Sequence, residues 1–447
     1  MDSPPLNGDQ DDEDRISALP DDLLVGILER IDLPTAIRAS AVSTRWRHLP
    51  HQLSRLRLKA SRFHGATIHQ IMRAYTGALW KVLNMFPPPT CNCPSAVRSL
   101  RLHFYVSDPQ LNSIGLAVED VVRHGETQSL KFGVGIYAPD TSKPAIPQLA
   151  AFGQLFMSFS GTYPVAFRWL TMLCLKNLAF RDSNVADLIR ACHRLRRLSL
   201  KSCGLVDRHA TLKIDAPCSG LQKIEFTSFR CTRIELISVP KLRKVRCYWY
   251  RENPPVRFGY IPELREVSLS SHAKTWQAPF ALSECFSTGA ENLSTLYPNF
   301  RGQMIWIKPE HPKQLTAIFS KLTDVHLSGI FPECDLSWTL FILEAAPSLK
   351  KFTVSRNRHL CAKTTQDSAE KTNMTRDPPK DLKHVNLKLL VMEGFEDEEK
   401  VTNYIRLVME RAVGLRRIKL CGSTCVGCKT IDHESTRSQM DEVADIV

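Results

Sequence analysis

From Asp21 onward the apolar residues fall at Leu23, Leu24, Ile27, Leu28 and Ile31, the period of a helix with a broad apolar stripe. Pro20 suits a first helical position, where a missing N–H costs nothing, and Asp21 and Asp22 complement the positive end of the helix dipole. Asp32-Leu33-Pro34 ends this helix and restarts a second, through Ile37, Ala39 and Val42. Ser43 can cap a third, carrying Arg45, Trp46 and Arg47. Three short helices between Asp14 and Leu58 cannot hide all these side chains from water, and each large aliphatic left exposed forfeits about 1.5–3 kcal/mol of burial. Either the following domain covers them, as with an ordinary helical cap, or a separate partner does.

Downstream, one pattern returns: apolar, two variable, apolar, one variable, apolar. It reads Val97-x-x-Leu100-x-Leu102, Leu170-x-x-Leu173-x-Leu175, Leu195-x-x-Leu198-x-Leu200, Leu221-x-x-Ile224-x-Phe226 and Leu242-x-x-Val245-x-Cys247. It continues as Leu264-x-x-Val267-x-Leu269, Leu322-x-x-Val325-x-Leu327, Leu349-x-x-Phe352-x-Val354, Leu382-x-x-Val385-x-Leu387 and Leu415-x-x-Ile418-x-Leu420. A degenerate unit at Leu293-Ser-Thr-Leu296 fills the double step between Leu264 and Leu322. Unrelated α/β strands would supply a few such matches, not an ordered series. The pattern is the leucine-rich-repeat signature and predicts one short strand per unit, stacked into a curved parallel sheet. Helical patterns such as Asn184–Ala191 and Thr339–Ala346 would form the convex side. Repeat boundaries between residues 103 and 167 are not defined by the pattern. Near the carboxyl end, Val401, Ile405, Val408, Met409 and Ala412 share one helix face between two strand patterns, a unit suited to capping a solenoid.

These patterns divide the chain into an acidic tail (1–13), a helical module (14–58), a helical linker (59–94), repeats (95–361), a polar loop (362–380), a strand–helix–strand end (381–422) and a polar tail (423–447). The acidic and polar tails are expected to be disordered and the polar loop mobile.

Composition narrows the setting. The 447 residues are 43% hydrophobic and 23% charged, an ordinary soluble balance with room for two or three cores. Met1–Asp14 is polar and acidic, so no secretory signal is expected. No apolar run reaches the roughly 20 residues of a membrane span. The expected location is the cytoplasm, the nucleus or both, with no membrane partner. The 14 cysteines, some inside strand patterns (Cys174, Cys247), read as small core hydrophobes rather than a disulfide framework.

The net charge of +13 implies an attraction for polyanions. On each repeat strand the residues between apolar positions face the concave side. There stand Arg197, Ser199 and Lys201; Lys244 and Arg246; Glu266 and Ser268; Asp324 and His326; Lys351 and Thr353; His384 and Asn386; Arg417 and Lys419. The basic members Arg197, Lys201, Lys244, Arg246, Lys351, Arg417 and Lys419 are the candidates for target binding, through charge-assisted hydrogen bonds to an acidic or phosphorylated segment. The plainer alternative is that they keep an exposed sheet face soluble. Tyr248, Trp249, Tyr250 and Arg251 could likewise form a binding hot spot or pack against the next repeat.

Cys421, Cys425, Cys428 and His433 offer zinc-type ligands, and the C-x3-C-x2-C spacing also occurs in radical-type iron–sulfur sites. That chemistry needs a barrel, whereas this cluster ends a solenoid, so no metal or other cofactor is expected. Cys91 and Cys93, beside Pro87-Pro88-Pro89, read as linker. Phosphate loops, His-Glu-x-x-His and nucleophile elbows are lacking, so no catalytic residue is expected.

The run Asp14-Arg-Ile-Ser-x-Leu19-Pro20-Asp-x-Leu23-Leu24-x-x-Ile27-Leu28, followed by Arg38-Ala-Ser-x-Val42-Ser-x-Arg45-Trp46-Arg47-x-Leu49, resembles the plant F-box. The resemblance implies docking on a Skp-type adaptor, and through it on a cullin–RING scaffold. By position, Leu19, Pro20, Leu23, Leu24, Ile27 and Leu28 would form the first-helix contact, supported by Leu33, Val42 and Trp46. Val42 stands where Leu is usual, and Pro50 where Trp is frequent. The end of the chain, through Asp381–Val385, Met392–Phe395 and Tyr404–Ile418, resembles the FBD region of plant F-box proteins. The expected fold is therefore α/β: an N-terminal three-helix F-box, an irregular leucine-rich-repeat solenoid and a C-terminal FBD-type cap. The implied role is a non-catalytic substrate receptor of an SCF-type ubiquitin ligase, with an unidentified protein target. A scaffold acting outside a ligase and a basic solenoid binding nucleic acid are the alternatives; the chain has no recognised nucleic-acid motif.

Overall fold

The computed structural model describes residues 16–422 except 17, 32, 42, 85–96, 125–126, 138–143, 251, 272–276, 287–289 and 357–381, together with 442–445. The chain divides into two compact units, residues 1–137 with 162–170, and residues 138–161 with 171–447.

Unit 1 opens with α1 (Asp21–Leu28), α2 (Leu33–Ser40) and a 3-10 turn over Arg45–Gln52, the three helices the apolar spacing predicts. Then come β1 (Arg55–Lys59), α3 (Ile68–Asn84), β2 (Ser99–Tyr105), α4 (Gln110–His124) and β3 (Ser129–Gly135). Helix α5 (Ile146–Thr162) belongs mostly to unit 2, and α6 (Pro164–Trp169) returns to unit 1. Strands β1, β2 and β3 are parallel and in register, Arg55 opposite Ser99 and Ser99 opposite Ser129. Their inward residues, among them Leu56, Leu58, Leu100, Leu102, Leu130 and Phe132, are buried. The ring of Phe132 meets Phe104 and Phe167 edge-on at 5.4 and 6.0 Å.

Two of these strands lie outside the expected repeats. Leu53-Ser-Arg-Leu56-Arg-Leu58 has the full repeat pattern but overlaps the helical module, so repeat strands begin within residues 14–58 and run into the expected linker. In β3 a threonine replaces the leading leucine: Thr127 is buried and donates to the Val97 carbonyl at 3.0 Å. The signal Thr127-x-x-Leu130-x-Phe132 is the repeat with one polar substitution.

Unit 2 contains β4 (Leu170–Lys176), β5 (Ala179–Phe180), α7 (Asn184–Ala191), β6 (Arg197–Lys201), β7 (Gly204–Leu205), β8 (Thr211–Asp215), β9 (Lys223–Thr227) and β10 (Arg233–Ser238). It continues with β11 (Lys244–Tyr248), β12 (Val256–Tyr260), β13 (Glu266–Ser270), β14 (Phe280–Ala281), β15 (Thr295–Asn299), β16 (Ile307–Lys308), α8 (Thr316–Phe319), β17 (Asp324–Ile330) and α9 (Leu340–Ala345). The last elements are β18 (Lys351–Arg356), β19 (Leu389–Phe395), α10 (Glu399–Arg411), β20 (Arg417–Gly422) and β21 (Glu442–Asp445). Strands β4, β6, β9, β11, β13, β15, β17, β18, β19 and β20 follow one another in a parallel ladder, one per repeat, and the leucine spacing predicts all of them but β19. The return segments are not uniformly helical. In the middle of the unit they are strands, β8, β10 and β12, forming their own parallel sheet.

Helix α5 sits close to β5. A Cβ at Gly153 would lie 1.9 Å from the Ala179 carbonyl oxygen, so only glycine fits there.

Two expectations for the carboxyl end are corrected. Residues 382–387 are not a strand: the ladder resumes at Leu389, which pairs with Lys351. The imidazole of His384 is buried, 2.9 Å from the Ala346 carbonyl, and accepts from the Leu387 amide at 3.0 Å, so this segment is a packed turn. Within the expected tail, β21 pairs antiparallel with β20, Arg417 opposite Asp445. The open edge of β20 otherwise leaves unpaired amides and carbonyls, and an edge strand satisfies them. The expected loop 362–380 and the rest of both tails lie outside the described residues.

Candidate docking face and concave sheet

Helix α1 is clamped at both ends. At its start, Asp21 accepts from Arg45 at 3.1 Å and lies 3.2 Å from His48 Nε2, while Arg45 also donates to the Leu19 carbonyl at 2.6 Å. The hydrogen bond to His48, then that to Arg45, holds the Asp21 carboxyl below the usual range. At its far end, Glu29 accepts from the Ser54 amide at 3.0 Å and hydroxyl at 2.7 Å, joining the helix to the approach to β1.

Between these clamps the apolar residues separate into two sets. Leu24 and Leu28 are 0% and 2% exposed, and Leu33 is buried, so these three hold the module together and are not a contact surface. Leu23 and Ile27 stand 53% and 42% exposed, one turn apart on α1. Pro20 is exposed beside them, Leu19 is half-buried, and Ile16 and Ile37 are further exposed aliphatics. Trp46 is half-buried, with its indole N–H lacking an acceptor among the described residues. Val42 lies outside the described residues. The sequence pattern thus brought together one docking set of which the structure leaves Leu23, Ile27 and Pro20 outward, and it passed over Ile16 and Ile37.

On unit 2 the outward residues of the main sheet form rows, because the ladder is in register. One row runs Lys223, Lys244, Glu266, Thr295, Asp324, Lys351. Lys244 is ion-paired with Glu266, Arg246 reaches the same carboxylate at 3.6 Å, and Lys351 lies 3.8 Å from Asp324. Lys223 is 3.3 Å from Glu225. The expected basic track is therefore largely self-compensated in the middle of the unit. Arg197 and Lys201 are exposed on β6 and Arg417 on β20, while Lys419 is half-buried. His326 packs against Tyr297 at 6.0 Å and lies 3.6 Å from Glu393.

The aromatic run splits. Tyr250 is enclosed against Trp306 at 5.8 Å, and burial pushes its hydroxyl well above the usual tyrosine range. Trp249 turns outward at φ 61°, with the Arg301 guanidinium 3.9 Å above its ring. Arg251 is outside the described residues, as are Cys91, Cys93, Cys425, Cys428 and His433. Cys421 is half-buried, and no metal-type cluster occurs among the described residues. No helix among them is long and apolar enough to cross a membrane.

A second basic row lies on unit 1. Arg57, Arg101 and Lys131 face one another in register on β1, β2 and β3. The next row holds Lys59 and His103. Burial, with Arg101, Lys59 and Arg57 adding to it, lowers the His103 imidazole to about 4. Below the row opens a cleft of about 630 Å³, lined by Arg30, Arg55, Arg57, Arg98, Arg101 and Lys131, with Glu29 at its edge. Sequence reading missed it because β1 and β3 were not recognised as repeat strands.

An F-box-type helical module joined to a ladder of leucine-rich-repeat strands defines an F-box/leucine-rich-repeat protein. The F-box domain family matches residues 16–58. The family described as "At1g61320/AtMIF1, LRR domain" matches residues 154–445, and the chain belongs to it. The end that resembles an FBD region falls inside this match. A curated relative, "F-box protein At5g03100" of Arabidopsis thaliana, is 24% identical over 259 residues, covering 57% of this chain and 76% of the relative. Among solved structures, the TLR13–ssRNA13 complex covers 76% of this chain at 10% identity and a TM-score of 0.34. The chain spans 48% of that neighbour's length.

Proposed function

We propose that this chain is the substrate-recognition subunit of an SCF-type ubiquitin ligase. F-box domains generally bind Skp-type adaptors, and the observation that carries the reading is the outward pair Leu23 and Ile27 on a helix whose Leu24 and Leu28 are already buried. A module closed from within has no structural need for two exposed aliphatics one turn apart; such a patch is suited to a partner. The adaptor would connect the chain to a cullin–RING scaffold, and the repeats would hold the protein to be modified. Thioester chemistry would belong to other subunits, and this chain would contribute proximity, raising the effective concentration of a target lysine near loaded ubiquitin. Such a complex would act in the cytoplasm, the nucleus or both.

The test is affinity capture from proteasome-blocked cells with the intact chain and a Leu23→Asp, Ile27→Asp variant. Adaptor and cullin should be absent from the variant, while proteins held by the repeats accumulate on it. Adaptor retained at the intact level would reject the reading; adaptor captured without cullin would favour a role outside a ligase.

A further inference from the structure

In the middle of unit 2 the outward rows of the main sheet set unlike charges opposite one another: Lys244 faces Glu266, and Asp324 faces Lys351. On β4, β6 and β9 the same face sets like charges opposite. Lys176 faces Lys201, and Arg197 faces Lys223. Like charges directly opposite in a sheet destabilise it, so folding does not explain these pairs. Glu225, in the row between them, is the one carboxylate on the outward face of the three strands, and it lies 3.3 Å from Lys223. Lys176, Arg197 and Lys201 are all exposed, and among the described residues no carboxylate lies within ion-pair distance of them. Ser199 stands opposite Glu225 in the same row, and its enclosed hydroxyl has no hydrogen-bond partner among the described residues.

The ligand that fits this face carries its charge at one point. A carboxylate would neutralise only one of two ammonium groups whose strands lie about 4.8 Å apart. A phosphomonoester carries about −1.5 to −2 and three acceptor oxygens, enough for both lysines and for the Ser199 hydroxyl. The free charge ends before β11, where Glu266 engages both Lys244 and Arg246. A nucleic-acid strand needs a longer basic track than this. No exposed large apolar side chain lies on β4, β6 or β9 to enter a lipid surface. We propose that Lys176 and Lys201, with Arg197 and Ser199, hold a phosphorylated serine or threonine of the target protein. This names the target class of the repeats and rests on the substrate-receptor reading, but its chemistry is testable without adaptor.

The probe is a library of synthetic peptides randomised around one fixed phosphoserine, passed over the immobilised full chain beside the same library with serine or glutamate fixed. Retained peptides are quantified by mass spectrometry. The phosphoserine library should be retained about 10-fold or more over either, and retention should fall as the pH drops through the second phosphate pKa, about 6. Lys176→Glu with Lys201→Glu should abolish retention, and Lys176→Gln with Lys201→Gln should weaken it. Both lysines are exposed, so these variants should keep the native urea midpoint. Lys308→Glu, on β16, should leave retention unchanged. Retention of none of the libraries, equal retention of the serine library, or phosphoserine retention that survives charge reversal would overturn the inference. Equal retention of the glutamate library would assign the face to carboxylates, and capture of oligothymidine in place of the peptides would assign it to nucleic acid; either result also overturns it. Failure here leaves adaptor binding by the chain untouched, whereas failure of the adaptor-capture test would reject the receptor reading with phosphoserine retention intact.

Discussion

The Arg45 guanidinium donates to the Asp21 carboxylate at 3.1 Å, a contact between residues 24 apart that fixes the third helical segment against the start of α1. With Arg45 also on the Leu19 carbonyl, one side chain orders the turn that presents Pro20 and Leu23. Arg45→Ala should therefore loosen this turn and weaken adaptor binding without removing any outward apolar group. Hydrogen exchange at Leu19–Leu23 should rise in the variant while exchange in β4–β20 is unchanged. Because the folded Asp21 carboxyl is held below its ordinary value of 3.8, its contribution is present above that value and lost as the pH falls through the folded pKa.

His103 sets a different pH dependence. Its folded imidazole takes a proton only near pH 4, against 6.5 for an unperturbed histidine. Between those values the unfolded chain binds more protons, so stability falls as the pH drops from 6.5 toward 4. Buried His384 is shifted in the same direction. The urea midpoint should fall across this window, and more shallowly in His103→Asn than in the native chain. An identical slope would show that His103 is not a source.

Much of the ladder was legible in sequence because each strand must bury two alternating residues behind a leading leucine, a constraint that survives divergence. It failed where another demand took the same positions. Thr127 fills a leading position with a hydrogen bond in place of a methyl group, and Leu53–Leu58 serves the helical module and the sheet together. Residues 382–387 have the right spacing but become a turn because His384 spends its ring nitrogens on backbone groups. The docking face was half legible: Leu23 and Leu24 are chemically alike, and only the packing of α1 shows which is outward. The row Arg57–Arg101–Lys131 joins three separate repeats, so no local window contains it.

The end of unit 2 is tied by an ion pair between a buried arginine and a half-buried glutamate. The Arg356 side chain is 3% exposed, donating to the Glu398 carboxylate at 3.1 Å and to the Pro332 carbonyl. Arg356→Ala should cost about 1.5–3 kcal/mol in urea unfolding, since the half-buried Glu398 loses an ion partner, keeping Lys400, and the Pro332 carbonyl loses its donor. Arg356→Met with Glu398→Leu should recover most of it. A loss below about 1 kcal/mol for Arg356→Ala would show that the pair is solvated.

Gly394 lies at φ 68°, where a Cβ would stand 2.1 Å from the Arg356 carbonyl oxygen. Gly394→Ala should therefore destabilise by more than the about 1 kcal/mol of an ordinary left-handed residue. Urea unfolding of this single variant checks it.

Thiol reactivity should follow burial. Burial pushes the thiols of Cys192, Cys203, Cys231 and Cys334 up to about 12, leaving about one thiolate in ten thousand at pH 8. Cys218 is exposed. Iodoacetamide should modify Cys218 first among the described cysteines, with those four reacting only in denaturant, as peptide mass spectrometry would show.

The most direct measurement is calorimetric titration of a purified Skp-type adaptor into the purified full chain and two variants. Leu23→Asp with Ile27→Asp should weaken binding by about 100-fold or more while leaving the unfolding midpoint near native. Leu28→Ala should instead lower the midpoint by a loss of about 2–5 kcal/mol and leave adaptor affinity of the folded chain near native. Native-like affinity in the Leu23, Ile27 variant would contradict the assignment of this face as the adaptor contact.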